Sequence, residues 1–250
     1  MAAAEFDAAI FFDNDQGYLD DVKTRCPGVT RVKVNETYPL KKSSLNSGPL
    51  KELINTLEGN SYVYFLKEYK DWVPSYDPES GIQEAHIEKY YEWAKTATGN
   101  RILLLDWDLT MVMFDGMELP SYDDIHYNFF SQALISPKDV AIFYFGGKER
   151  YQMIKQWLID VAKSGVRIGI LTNNGGCHER LFQQIVAEIV PKGSYEMMCS
   201  RFAPHNSNKG KFLADDTRFT RLCDQTGGKR KRQTPKVVNT KRRKSRKHRK

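Results

Sequence analysis

RILLLDWDLT, Arg101 to Thr110, joins an apolar run to two carboxylates two positions apart, Asp106 and Asp108. A short continuous apolar run ending in polar residues is how a strand buried on both faces of a parallel sheet reads. Its carboxyl end is where open α/β sheets bind ligands, so the acids fall where chemistry is done. Side chains alternate along an extended chain, which lets one carboxylate act as a nucleophile while the other carries a proton. A solvated acidic turn is the plain alternative, and the position directly behind Ile102 to Leu105 favours a functional role.

Working outward, AAIFF at Ala8 to Phe12 reads as a second buried strand, with a short helix over Leu19 to Arg25. Pro27 and Gly28 break that helix, and VTRVKV follows as a β-branched strand. Lys148 to Ser164 reads as an amphipathic helix closed by Gly165. Strand Val166 to Thr172 follows, then a helix carrying Phe182, Ile185, Val186 and Ile189, and a short strand near Tyr195 to Ser200. Such alternation demands parallel strands with helices on both faces, a Rossmann-like doubly wound α/β sheet. Residues 36–99 are less regular: a helix is expected over Pro49 to Glu58, a strand at Tyr62 to Leu66 and a helix from Gly81 to Thr96. His86 in the last of these reads as a packed or surface histidine rather than a ligand.

The apolar strand followed by Asp106-x-Asp108-x-Thr110 resembles the first motif of the haloacid dehalogenase (HAD-like) superfamily. VRIGILT, ending at Thr172 with Asn173 and Asn174 behind it, looks like the second motif. NSNKGKFLADD offers Lys209, and after it Lys211, for the third, where a cation holds phosphate and nucleophile together. The acid-rich strand end expected downstream of that lysine is missing: FLADD has too little chain before it, and Lys211 to Cys223 reads as a helix. AIFFDND at the N-terminus resembles the missing strand instead, followed by a helix and the last strand of the sheet. The chain therefore looks circularly permuted, its strands running fourth, fifth, first, second, third. Where the family carries an acid pair this sequence has Asp13, Asn14 and Asp15.

By this resemblance the chain is a Mg2+-dependent phosphatase passing through an aspartyl-phosphate. Asp106, Asp108, Thr172 and Lys209 are the catalytic residues. Thr110, Asn173 and Lys211 contact a phosphorylated substrate, which is a small molecule, a protein or a nucleic-acid end. Asp106, Asp108, Asp13 and Asp15 bind Mg2+, a cation that takes oxygen ligands in near-octahedral geometry. The aromatic segment between Thr110 and Lys148 looks like a small cap at about 112–147. The alternative from a different class is a catalytically weak scaffold or nucleic-acid-binding protein acting through its tail.

That tail explains the formal charge of +7: from Lys229 onward 13 of 22 residues are Lys or Arg and none is acidic. Removing them leaves 25 basic against 31 acidic residues, a body of about −6 with no general affinity for polyanions. Nucleic acid is expected to meet residues 229–250 only, and the tail suits nuclear import or a place in a virus factory or virion. It resembles tails on proteins of large DNA viruses. Four cysteines without a CxxC pair and without a signal-like N-terminus suggest an intracellular, reducing setting. Cys26 and Arg31 fall one residue short of the spacing of cysteine-dependent phosphatases. No apolar run reaches the roughly 18 residues a membrane span needs. The expected organisation is 1–36 as the N-terminal part of the core, 37–99 as a linker or helical insertion, 100–226 as the remaining core with its cap, and 227–250 as a disordered basic tail.

Overall fold

The computed structural model describes residues 4–34, 81–113, 137–174, 177–178, 180–200 and 208–224. Five strands, β1 (Ala8–Asp13), β2 (Val29–Lys33), β3 (Arg101–Leu105), β4 (Arg167–Thr172) and β5 (Tyr195–Cys199), form one sheet in the order β2-β1-β3-β4-β5. Every neighbouring pair is parallel. The protein is thus an α/β protein with an all-parallel sheet flanked by helices. Among the described residues no helix is long and apolar enough to cross a membrane.

Alternate strand residues feed two separate cores, as the two-residue period of a strand requires. Ile10, Phe12, Leu103, Leu105, Ile168 and Ile170 point to one face. They pack there against Tyr90 of α2 (Glu84–Thr96), Trp157 and Leu158 of α4 (Lys148–Lys163) and Phe182 and Ile185 of α5 (Arg180–Ile189). Ala9, Phe11, Ile102, Leu104 and Leu171 point to the other face. They meet Leu19 and Val22 of α1 (Gln16–Arg25), Leu213 of α6 (Lys209–Asp215) and Leu222 of α7 (Thr220–Cys223). Between α2 and α4 lies α3 (Pro137–Tyr144).

This division follows from the handedness of parallel crossovers. From β3 the chain steps through β4 to β5 in one direction, and its crossover helices α4 and α5 cover one face. From β1 it steps to β2 in the opposite direction, and α1 covers the other, as a constant right-handed crossover demands. The winding direction reverses between β1 and β3. At such a switch point the loops leave in opposite senses and open a crevice at the strands' carboxyl ends.

The structure refines several expectations from the sequence. α2 starts at Glu84 rather than Gly81, since Gln83 accepts from the third helical N–H and His86 Nδ1 accepts from Gln83 N at 3.0 Å. His86 is buried in that cap. The expected helix from Lys211 to Cys223 is broken, because Asp216 ends α6 and caps a following single turn, Thr217–Phe219, accepting from Arg218 N. Tyr144 and Phe145 of the proposed cap segment belong to the core. The expected elements at Pro49 to Glu58 and Tyr62 to Leu66, most of the cap and the basic tail lie outside the described residues.

The cysteines depart furthest from expectation. Cys26, which caps α1, is joined to Cys223 in α7, and Cys177 to Cys199 at the end of β5. Partners separated by 197 and 22 residues carry no spacing signal. No cysteine is left unpaired, so the expected set of four reduced thiols is not what the structure shows.

Helices α1 and α6 approach closely at Gly210, where a Cβ would lie 2.8 Å from the backbone carbonyl carbon of Asp21. Backbone cannot yield as a side chain can. Gly210→Ala is expected to lower stability in urea unfolding by about 1–3 kcal/mol, the ordinary cost of overpacking. An unchanged midpoint would show that α6 can slide along α1.

Candidate functional site

The two strands at the switch point end in carboxylates. Asp13 is the last residue of β1 and Asp106 directly follows β3, whose register is fixed there by Asp106 N donating to Phe12 O at 3.0 Å. Both side chains are buried, and so is Lys209, the first residue of α6. Its ammonium Nζ donates to Asp106 Oδ1 at 2.6 Å and to Asp13 Oδ2 at 2.8 Å. The ammonium also lies 4.4 Å from the centre of the Tyr18 ring, within cation–π range.

Two negative charges held by one positive charge leave this buried cluster at −1 when all three groups are ionised. Burial pushes the Asp13 carboxyl up, the Asp106 charge adds to the push, and Lys209 opposes it, leaving Asp13 at about 7. Burial disfavours the Lys209 ammonium, but Asp106 and Asp13 outweigh it and hold the group above the ordinary lysine range. The protein therefore supplies one positive charge too few for its two carboxylates. A hard divalent cation taking oxygen ligands fits that deficit and that donor chemistry.

The turn after Asp106 is built to hold an unfavourable conformation. Val112 N donates to Trp107 O at 3.0 Å across a wide turn, and Leu109 inside it has φ of +54°. A side chain in that region costs of order 1 kcal/mol or more, sustained only by surrounding contacts. Arg150 of α4, a residue 8% exposed, provides them: its guanidinium donates to Met111 O and Phe145 O at 2.9 Å each and to Ile82 O at 3.2 Å. Thr110 is buried in the same turn. Its Oγ1 accepts from Asn14 N at 3.0 Å and its single hydroxyl proton faces Asp106 Oδ2 at 3.2 Å and Asn14 Oδ1 at 3.1 Å.

Across the crevice, Thr172 ends β4 fully buried, and its Oγ1 accepts from Asn174 N at 3.0 Å. Asn174 Nδ2 donates to both oxygens of Asp108, at 3.0 and 3.1 Å, which turns that carboxylate toward the β4 loop. Asn173 Nδ2 donates to Tyr18 Oη at 2.6 Å, while the Ser200 hydroxyl donates to Thr172 O at 3.1 Å and contacts Asn173 Oδ1.

The structure thus brings Asp13, Asp106, Lys209 and Thr110 into one hydrogen-bonded cluster, and links Asp108 to the loop of Thr172 and Asn173. Two expected residues stand differently. Asp15 caps α1, its Oδ1 accepting from Gly17 N at 2.6 Å and Tyr18 N at 3.3 Å. Lys211 lies in the first turn of α6, where its backbone N–H donates to the Asn208 cap at 2.9 Å. Between the two lysines the buried pairing singles out Lys209. Sequence reasoning did not single out Tyr18, Asn174, Ser200 and Arg150. Asn174 had a visible signal in its place behind Thr172, whereas an arginine in a helix ordinarily reads as solvated.

Comparison of the chain with protein-family models, with curated proteins and with solved structures found no match.

The raised Asp13 carries a pH signature. Folded chains hold its proton up to about pH 7, unfolded chains only to the ordinary value of 3.8. Between those values the folded state binds the extra proton, so the stability Asp13 contributes is full at acid pH and is lost as pH rises through 7. With divalent cations chelated, wild type is expected to lose urea stability relative to Asp13→Asn between about pH 4 and about pH 7. Parallel pH profiles for the two proteins would contradict this electrostatic picture.

Proposed function

We propose that the chain is a Mg2+-dependent phosphomonoester hydrolase of the HAD-like type, its sheet assembled in circularly permuted order. The observation that carries this reading is the Lys209 ammonium seated between Asp106 and Asp13 at the carboxyl ends of adjacent strands. The resemblance asks for a cation of this kind beside its first aspartate and beside an acid from a separate strand. The strand order supports permutation, since the N-terminal β1 lies directly against β3 and takes the place of the strand missing downstream.

In this reading Asp106 is the nucleophile, and Lys209 offsets repulsion between its carboxylate and the incoming phosphoryl oxygens. Lys209 also fixes which Asp106 oxygen is engaged, leaving Oδ2 on the Thr110 side. Asp108, oriented by both its oxygens through Asn174, carries the proton that the leaving oxygen needs and later takes one from water. Thr172, placed by the Asn174 and Ser200 bonds, holds a phosphoryl oxygen. Asp106, Asp13 and the carbonyl oxygen of Asp108 would hold Mg2+, which when bound supplies charge neutralisation at the phosphoryl group.

Hydrolysis of an aryl phosphate by the purified full chain is expected to require Mg2+ and to disappear in Asp106→Asn. Asp108→Asn is expected to lower kcat by about 10²–10⁴, the worth of a positioned proton carrier. Asp13→Asn should raise the Mg2+ concentration needed for half-maximal rate. Retained activity in Asp106→Asn would sink the proposal, and an unchanged Mg2+ requirement in Asp13→Asn would remove β1 from the site.

A further inference from the structure

Away from the carboxylate cluster, the loop after β4 and the end of β5 bring together a different set of donors. Cys177 Sγ, Cys199 Sγ and a ring nitrogen of His178 all lie within 4.8 Å of one another. The Cys199 Sγ to His178 Nδ1 distance is 3.9 Å. Tetrahedral zinc with Zn–S near 2.3 Å and Zn–N near 2.1 Å spaces such atoms by roughly 3.6 Å, so little movement separates this arrangement from a coordination shell. Both sulfurs are buried, while His178 is exposed and keeps one side of the cluster open to water.

We propose that, when Cys177 and Cys199 are reduced, these two thiolates and the His178 imidazole bind one zinc ion, with water in the fourth position. Soft thiolates with an imidazole select zinc over the hard cation suited to Asp13 and Asp106. Binding replaces two thiol protons with the ion, so two protons are released per zinc and no oxidant or reductant is consumed in the step. The ion and the Cys177–Cys199 disulfide use the same sulfurs and exclude each other.

The location gives such a site a structural role. Asn173 and Asn174 lie three to four residues before Cys177 on one loop, and Ser200, which bonds Thr172 O and Asn173, directly follows Cys199. A metal tie between Cys177 and Cys199 would hold the β4 loop to the end of β5 at the point where Thr172 is positioned. This site stands whether or not the chain hydrolyses phosphate esters.

Titrating the fully reduced full chain with Co2+ in excess Mg2+ tests it, because thiolate-to-cobalt charge transfer reports sulfur ligands and is silent for carboxylates. One equivalent of Co2+, displaced by Zn2+, is expected to give the band in wild type. Cys199→Ser should abolish it, and the exposed-site variant His178→Ala should weaken binding by at least about 10-fold, the loss that even outer partners of zinc ligands cause. Zn2+ should also raise the Tm of the reduced wild type and not that of His178→Ala. Absence of the band in folded, reduced wild type would overturn the proposal. So would a band that survives Cys199→Ser, which would assign it to Cys26 and Cys223, or one indifferent to His178→Ala.

Discussion

One buried ammonium, shared between carboxylates from two different strands, organises this molecule. Lys209 is 196 residues from Asp13 and 103 from Asp106, so satisfying it requires β1, β3 and the start of α6 to converge. A lysine at 1% exposure has no water to fall back on. Nor could Asp13 and Asp106 both stay ionised side by side at the switch point without a cation between them. Removing Lys209 from such a buried group costs about 3–5 kcal/mol, because the two carboxylates left behind lose their partner and gain no solvent. The same imbalance that makes the cluster costly makes it receptive: its residual negative charge is a standing attraction for a metal or another cation.

The sheet was legible in the sequence because strands buried on both faces must be apolar throughout. Ala8–Asp13, Arg101–Leu105 and Arg167–Thr172 all stand in the structure where their apolar runs predict. The carboxyl-end carboxylates were legible for the same reason, since an acid directly behind such a run has one place to go. What stayed hidden depends on which partner a polar side chain chooses. Asp15 and Asp13 are equivalent on paper, yet Asp15 sits where α1 begins and is taken by two free N–H groups. Lys209 and Lys211 differ only by the turn of a short helix, and that turn buries one. The disulfide partners of Cys26 and Cys177 depend on how distant elements dock, which no local pattern records.

Arg150 shows how the long return segment between β2 and β3 is bound into the site. The turn carrying Asp108 and Thr110 contains a leucine at positive φ, a conformation that a free loop would relax. Ile82 N donates to Thr110 O at 2.8 Å, and Arg150 binds the carbonyls of Ile82, Met111 and Phe145 together. Gly81 itself adopts φ of +77°, and a Cβ there would lie 3.0 Å from Thr110 O. The segment that brings the chain back to β3 is therefore more than a tether. Its last residues before α2 brace the strained turn from one side while α4 braces it from the other. In a chain whose sheet begins with strands that need this return path, the connection has become part of the support for the acidic turn, and Gly81 and Ile82 are as constrained as the turn they hold.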